Sequence, residues 1–317
     1  MNKKVAIISG LVIAGVIASA VFLGLNKDDS KKDLNTGVIK VQHALGETEV
    51  KVNPKNVVVF DYAALDAMEV LKVEGVTGIP QDSSMPEYLS KFKGTEYINI
   101  GGLKEPNLEK INEIQPELII INGRQHSFYD KLSEIAPTIS LSKEDGKYME
   151  SFTKNMEILG NIFDKETMVE EELSKINAKI ERINKKIVEK NYKATTLMVS
   201  EGNLSVFGSE SRFGLIYNNL GFKNTDGNIK TSNHGQDVSF EYVASQEVDY
   251  MFVIDKSVIS NNKNEKPAKE ILNNELVNNS PVAKNGKIIY LDTNSWYLSD
   301  GGFISTNKML DEIQAVI

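Results

Sequence analysis

The chain has 317 residues, 41% of them hydrophobic, which is enough for two ordinary domains with cores of their own. Its formal net charge of −8 argues against general attraction to nucleic acid or to anionic lipid. It has no Cys, which excludes disulfides, thiolate metal sites and Cys nucleophiles.

Residues Met1 to Leu25 open with Lys3 and Lys4 and continue as an uninterrupted apolar or small-residue run from Val5. The run is close to the ~20 residues that span a bilayer, and the leading charges stay inside, so it reads as an export signal, a membrane anchor or both. Everything after Asn26 is then expected outside the cytoplasm. Ala18-Ser19-Ala20 is a candidate cleavage site, but apolar residues continue past it, which slightly favours an uncleaved anchor. Asn26 to Thr36 is polar and predicts a flexible tether.

After the tether, Val38 to Val52 alternates around Leu45-Gly46-Glu47 and predicts a hairpin. Strand and helix patterns then alternate: strands at Val57–Phe60, Val76–Ile79, Leu118–Ile121 and Thr138–Leu141, with helices at Ala63–Leu71, Asn107–Ile114 and Phe128–Ile135. The pattern resumes in the second half, with strands at Thr195–Val199, Leu204–Phe207, Met251–Ile254 and Ile288–Leu291. Helices are expected there at Gly214–Leu220, Ser239–Ser245 and Ile304–Val316. This is α/β patterning with mostly parallel strands.

Between the halves, Asp164 to Lys190 predicts one long helix. Val169, Leu173, Ile176, Ile180, Ile183 and Ile187 recur at spacings of three and four, and Lys, Glu and Asn fill the other faces. Asp164 is the expected N-cap, with Phe163 and Met168 placed for a hydrophobic staple. A coiled coil would need a longer heptad pattern or a partner chain, whereas a strut needs matching lobes on either side.

The flanks match. Asn107-Leu108-Glu109-Lys110-Ile111 followed by Pro116 to Ile121 resembles Ser239-Phe240-Glu241-Tyr242-Val243 followed by Val248 to Val253, at a constant offset of 132 residues. The same offset places Arg124 on Lys256. Each half therefore has a Glu near a helix start, a buried strand, and a cation just past that strand. The strut is the better reading, and it divides the chain into anchor and tether (1–36), N-terminal lobe (37–163), interlobe helix (164–190) and C-terminal lobe (191–317).

In open α/β sheets ligands lie beyond the carboxyl ends of the strands, so two such lobes face each other across a loop-lined cleft. The loops expected there carry Arg124, Arg212, His234, Trp296 and Tyr297, with Lys256 as a further cation. Only three of the 36 basic residues are Arg, and two of them fall here. Cations gathered at strand ends in a chain of net charge −8 point to an anionic ligand. A two-lobed extracytoplasmic protein on an anchor is most simply a solute receptor.

The stretches GRQHSFYDKL, SESRFGLIYNNLGF, HGQDVSFEYV, DYMFVIDK and IIYLDTNSWYLS, together with GGLKEPNLEKI and VVVFDY, resemble the class III periplasmic-type binding proteins of iron-siderophore ABC importers. Within that family they are most like receptors for catecholate siderophores such as petrobactin, and the likeness covers residues 38 to 316. The resemblance implies two Rossmann-like lobes joined by one long interlobe helix, no enzymatic activity, and no intrinsic cofactor, ferric iron arriving as the siderophore complex. It further implies that Arg124, Arg212 and Lys256 surround an anionic ferric catecholate, and that His234 and Tyr297 ligate the iron when a tetradentate siderophore leaves two positions open. Glu109 and Glu241 would dock on the permease dimer of the importer, with the protein acting as a monomer at the membrane surface.

The chemistry agrees, since ferric iron is a hard cation suited to phenolate and acceptable to imidazole, and Arg offers paired donors to catecholate oxygens. Two departures stand out: Lys256 occupies a position where Arg is usual, and no Cys is available for the lipid anchor of Gram-positive members. Receptors for haem, cobalamin or a hydroxamate siderophore are the alternatives. Haem wants an axial ligand and an apolar slot, and hydroxamate complexes carry less charge, which leaves the Arg and Lys set harder to explain. An enzyme is disfavoured because no G-x-S-x-G, H-E-x-x-H or paired-acid motif is present.

Overall fold

A computed structural model describes residues 37–227, 229 and 234–317. The predicted anchor and tether (residues 1–36), and residues 228 and 230–233 ahead of His234, lie outside the described residues. Among the described residues, no helix is long and apolar enough to cross a membrane.

The first lobe begins with the predicted hairpin, β1 (Val38–His43) antiparallel to β2 (Gly46–Lys51). His43 fastens it: its Nδ1 accepts from the backbone of Leu45 and Ser140 at 3.2 and 3.3 Å, which puts the proton on Nε2, 2.9 Å from Thr48 Oγ1. Burial pushes this imidazole below its usual range, as suits a neutral structural His.

There follow β3 (Val57–Val59), α1 (Tyr62–Val70), β4 (Val76–Ile79), β5 (Ile98–Asn99), α2 (Leu108–Ile114), β6 (Leu118–Ile121), α3 (Tyr129–Ser133) and β7 (Thr138–Ser140). The strands form an all-parallel sheet in the order β5-β4-β3-β6-β7. Alternation splits each strand between two layers: Val57, Val59, Leu118 and Ile120 face one core, and Val58, Ile119 and Ile121 face another beneath α2 and α3.

The sequence patterning assigns no element between Leu141 and Asp164, but the structure has a 16-residue helix there, α4 (Tyr148–Phe163). The long helix α5 runs from Glu166 to Lys190, 25 residues, and all six predicted stripe residues are buried. Asp164 is not its N-cap. It ends α4 in the left-handed conformation, φ 53°, while Lys165 precedes α5 with no side-chain cap. The reversal between two antiparallel helices needs a left-handed residue, which Asp tolerates better than most, and the Lys165 N–H closes the end of α4 on the Gly160 carbonyl.

The second lobe contains β8 (Lys193–Ser200), β9 (Asn203–Phe207), β10 (Lys223–Asn224), β11 (Gln236–Val238), α6 (Phe240–Ser245), β12 (Tyr250–Asp255), α7 (Ala268–Ile271), α8 (Glu275–Asn278), α9 (Pro281–Lys284), β13 (Ile288–Leu291) and α10 (Phe303–Val316). Its sheet runs β11-β9-β8-β12-β13, with β10 also on β8. Strand β9 is antiparallel to both neighbours, and the rest of the path is parallel. The helix predicted at Gly214–Leu220 is a π-helical turn, Leu215–Asn219.

The internal match survives in three dimensions. Helices α2 and α6 are capped alike, by Asn107 Oδ1 on Lys110 N and by Ser239 Oγ on Tyr242 N, so Glu109 and Glu241 both occupy the second helical position. At the cations the match slips by one residue. Arg124 is second after the capping Asn122, whereas Lys256 is first after the capping Asp255.

The lobes share more than a strut. One continuous apolar core takes in the inner face of both sheets (Val59 and Ile120, Phe252 and Ile254) and the helices α1, α4, α5 and α10 between them. Separate, smaller cores lie on the outer faces.

Candidate ligand-binding cleft

Three loops bring cations to one aromatic ring. After β6, Asn122 accepts from Arg124 N at 3.0 Å and donates to Asp61 at 3.0 Å, which fixes the turn that aims Arg124. Asp61 in turn caps α1 through Ala63 N, and burial pushes its carboxyl up against the opposing pull of Lys143. After β12, Asp255 accepts from the Ser257 N–H at 3.0 Å and from its hydroxyl at 2.6 Å, which orders the turn carrying Lys256. After the antiparallel β9, the Ser211 hydroxyl donates to Gly208 O and accepts from Phe213 N, closing a tight loop that presents Arg212.

The ring is Tyr297. The Arg212 guanidinium carbon lies 4.1 Å from its centroid, Lys256 Nζ 5.5 Å and the Arg124 guanidinium carbon 5.7 Å. The Tyr297 carbonyl accepts from Arg124 at 2.9 Å and from Arg212 at 3.0 Å, so one residue of the second lobe gathers cations from both lobes.

Tyr297 is held by a π-helical turn, Asn294–Leu298, that is itself fastened to α10. Glu312 accepts from the Trp296 indole at 2.8 Å and from Asp292 N at 3.0 Å. Asp292 accepts from Ser295 Oγ at 2.6 Å, and Thr293 donates to Asp255 O at 2.8 Å, beside Lys256. Burial raises the Glu312 carboxyl above its usual range.

Trp296 is therefore not a ligand contact as predicted. It is 1% exposed, belongs to the shared core and points its indole N–H at α10. Neighbours in a helical turn face different directions, so when Tyr297 turns toward the cations Trp296 turns inward. His234 is exposed, two residues before β11. His126, which has no predicted role, reaches Ser140 and Ser142 at 2.9 and 2.8 Å. Glu109 and Glu241 are exposed on their respective lobes, and the Ser239 hydroxyl holds the Glu241 carboxyl below its usual range.

Sequence reasoning missed the acidic and lysine partners of this cluster: Asp145 lies in the field of Arg212, Lys143 and Asp300. Asp300 accepts from Arg212 at 3.0 Å, and its carboxylate lies 3.2 Å from Lys143, which arrives from the loop after β7. Lys143 also donates to the Asp300 carbonyl. A lysine among many and an Asp in an Asp-Gly-Gly turn carry no signal of their own. Among the described residues, no group of three or more His, Asp and Glu side chains gathers as for a metal ion.

The chain matches the periplasmic binding protein family over residues 57–294, the span that contains both sheets and the cations. It belongs to that family. Among curated relatives of this periplasmic binding protein, the petrobactin-binding protein YclQ of Bacillus subtilis is 41% identical over 98% of both chains. The ferric-anguibactin-binding protein FatB of Vibrio anguillarum is 31% identical over 87% of this chain and 86% of its own. The crystal structure of YclQ covers 88% of this chain and 98% of its own with a TM-score of 0.83 and 43% identity. The periplasmic catecholate-siderophore binding protein VctP of Vibrio cholerae covers 88% of this chain and 99% of its own with a TM-score of 0.82 and 34% identity.

Proposed function

We propose that this periplasmic binding protein captures an anionic ferric catecholate siderophore, of the petrobactin or bis-catecholate type, outside the cytoplasm and delivers it to an ABC importer. The observation that carries the proposal is the convergence of Arg124, Arg212 and Lys256 on Tyr297 from both lobes. Like charges held around one ring repel one another, and an anion placed among them relieves that repulsion while its oxygens accept from the guanidinium forks. A neutral ferric hydroxamate would not. The names of relatives that bind petrobactin and a catecholate siderophore support the same class of ligand.

The test is a titration of the full chain, in detergent because of its apolar N-terminus, followed by the fluorescence of its single Trp. Trp296 is buried beside Tyr297, so it reports the cleft by proximity without touching the ligand. Saturable quenching by ferric catecholates is expected; quenching by haem, cobalamin or ferric hydroxamates alone would refute the proposal.

In this reading Arg124, Arg212 and Lys256 are the counter-charges, and His234 and Tyr297 complete the iron's coordination when the siderophore is tetradentate. The charge-transfer band of a ferric bis-catecholate is then expected to shift on binding, and His234→Ala or Tyr297→Phe to abolish the shift. An unmoved band in both variants rules out ligation. Glu109 and Glu241, one per lobe and each at the second position of its helix, dock on the permease dimer. The double Ala variant is expected to bind ligand normally and to fail in uptake, and normal uptake would exclude the role. Residues 5–25 keep the protein at the outer face of the membrane, which a membrane fractionation of the intact chain tests directly.

A further inference from the structure

The cation cluster contains carboxylates that work against an anionic ligand: Asp145 lies in the field of Arg212, Lys143 and Asp300, and Asp300 is the one that touches the cations directly. Asp300 is 6% exposed and holds Arg212 at 3.0 Å, and its carboxylate lies 3.2 Å from Lys143. It therefore sits within the cation cluster, and it joins one cation from each lobe. Its neighbour Gly301 adopts φ 101°, and a Cβ there would come 3.1 Å from Lys143 Nζ, so the glycine leaves room for the lysine to lie against the turn. These contacts make a built arrangement, since a buried carboxylate is costly unless paired and Asp300 is paired twice.

We propose that Asp300 and Lys143 set the ligand charge that this cleft selects: Lys143 is a fourth cation of the site, and Asp300 offsets one positive charge so that chelates of low negative charge are not outcompeted by highly charged ones. The inference rests on the proposed ferric-catecholate function. A ferric tris-catecholate carries about three negative charges and a ferric bis-catecholate about one, so their attraction to a fixed site charge differs by about threefold in energy. A single unit of site charge therefore acts on selectivity through the exponent. At a separation of about 8 Å in a water-like dielectric, one unit changes affinity by about 2.5-fold per unit of ligand charge.

The experiment compares affinities of the full chain and two variants for a ferric tris-catecholate and a ferric bis-catecholate at low salt. Asp300→Asn keeps an acceptor for Arg212 and removes the charge. It is expected to tighten the tris-catecholate by about 15-fold and the bis-catecholate by about 2.5-fold, with both gains shrinking as salt is raised. Lys143→Gln keeps a donor to Asp300 and is expected to weaken the two ligands in the same unequal proportion. Equal shifts for the two ligands, or shifts indifferent to salt, would mean that these residues act only on the shape of the turn and would overturn the inference. Should Asp300→Asn fail to fold, Lys143→Gln decides alone. A wild-type chain that binds neither catecholate refutes the proposed function beneath it, an outcome distinct from wild-type binding with equal shifts.

Discussion

Among the connections between the lobes, two are built from opposite materials. The first is α5, whose stripe of Val, Leu and Ile lies in the shared core. The second is a polar clasp between Tyr297 and Thr306. Arg124 of the first lobe reaches the Tyr297 carbonyl, Lys143 pairs with Asp300, Tyr88 meets Ser299 at 2.6 Å and Tyr148 meets Thr306 at 2.9 Å. At its centre Asp66, on α1, accepts from Ile304 N at 2.7 Å and Ser305 N at 2.8 Å and so caps α10 from the opposite lobe. A Cβ on Gly302 would collide with that carboxylate, so the glycine is what lets α1 reach the end of α10. The helix supplies stability, and the clasp fixes how the lobes face one another.

The comparison breaks if the two connections respond alike to mutation. Ile176→Ala, at a fully buried stripe position, is expected to cost about 2–5 kcal/mol of stability, because it removes packed methylenes and leaves a cavity. Asp66→Ala strands two backbone N–H groups and leaves the Tyr88 hydroxyl with Ser299 alone, and is expected to cost about 1–3 kcal/mol. The second variant is expected to weaken ligand binding more than its stability loss implies, since it loosens the turn that carries Tyr297, whereas Ile176→Ala should leave affinity nearly unchanged. Chemical denaturation and ligand titration of both variants check this, and a reversed order in affinity would sink the distinction.

The difference in materials also explains what could be read from the sequence. The stripe of α5 is a period of about 3.6 written in apolar residues, and each of its members was legible. The matched halves were legible too, because Glu109 and Glu241, and the strands after them, recur at one offset. Helix α4 was missed although Tyr148, Phe152, Met156, Leu159 and Phe163 have helical spacing and are buried, because Asp164 looked like the start of a new helix rather than the end of an old one. The clasp left no trace. Its contacts join residues as far apart as Asp66 and Ser305, and each is a single polar residue with no periodic partner. Trp296 was misplaced for a related reason: adjacency to Tyr297 in sequence says nothing about which of the two faces the cleft.

The clasp is also expected to respond to pH where the stripe does not. Burial pushes the Asp66 carboxyl from its ordinary 3.8 to about 6, against the pull of the two backbone N–H groups. Between those values the folded chain binds more protons here than the unfolded chain. The contribution of this group to stability is therefore fully present below 3.8 and is lost as pH rises through about 6. The loss is at most about 3 kcal/mol, since each tenfold difference in proton affinity between the folded and unfolded chains is worth about 1.36 kcal/mol. Asp66→Asn keeps an acceptor and removes the titration, so the stability difference between wild type and variant should slope between about pH 4 and 6 and flatten outside it. A difference independent of pH across that window would show that the hydrogen bonds to Asp66 cancel the upward push of burial.

The smallest effect expected is in shape. A strut alone would allow the lobes to bend about its ends, but a core continuous through α1, α4, α5 and α10, together with the buried clasp, leaves little to bend. Packed interiors resist gradual deformation, so closure is confined to the loops that carry Arg124, Arg212 and Lys256. Ligand binding is then expected to change the radius of gyration by less than about 1 Å, the scale of side-chain and loop adjustment in preorganised complexes. The clasp gives this expectation a control. If Asp66→Ala binds ligand with a larger contraction than wild type, the clasp is what holds the lobes apart at a fixed aperture; if both contract alike and widely, α5 is a hinge and the clasp opens with it.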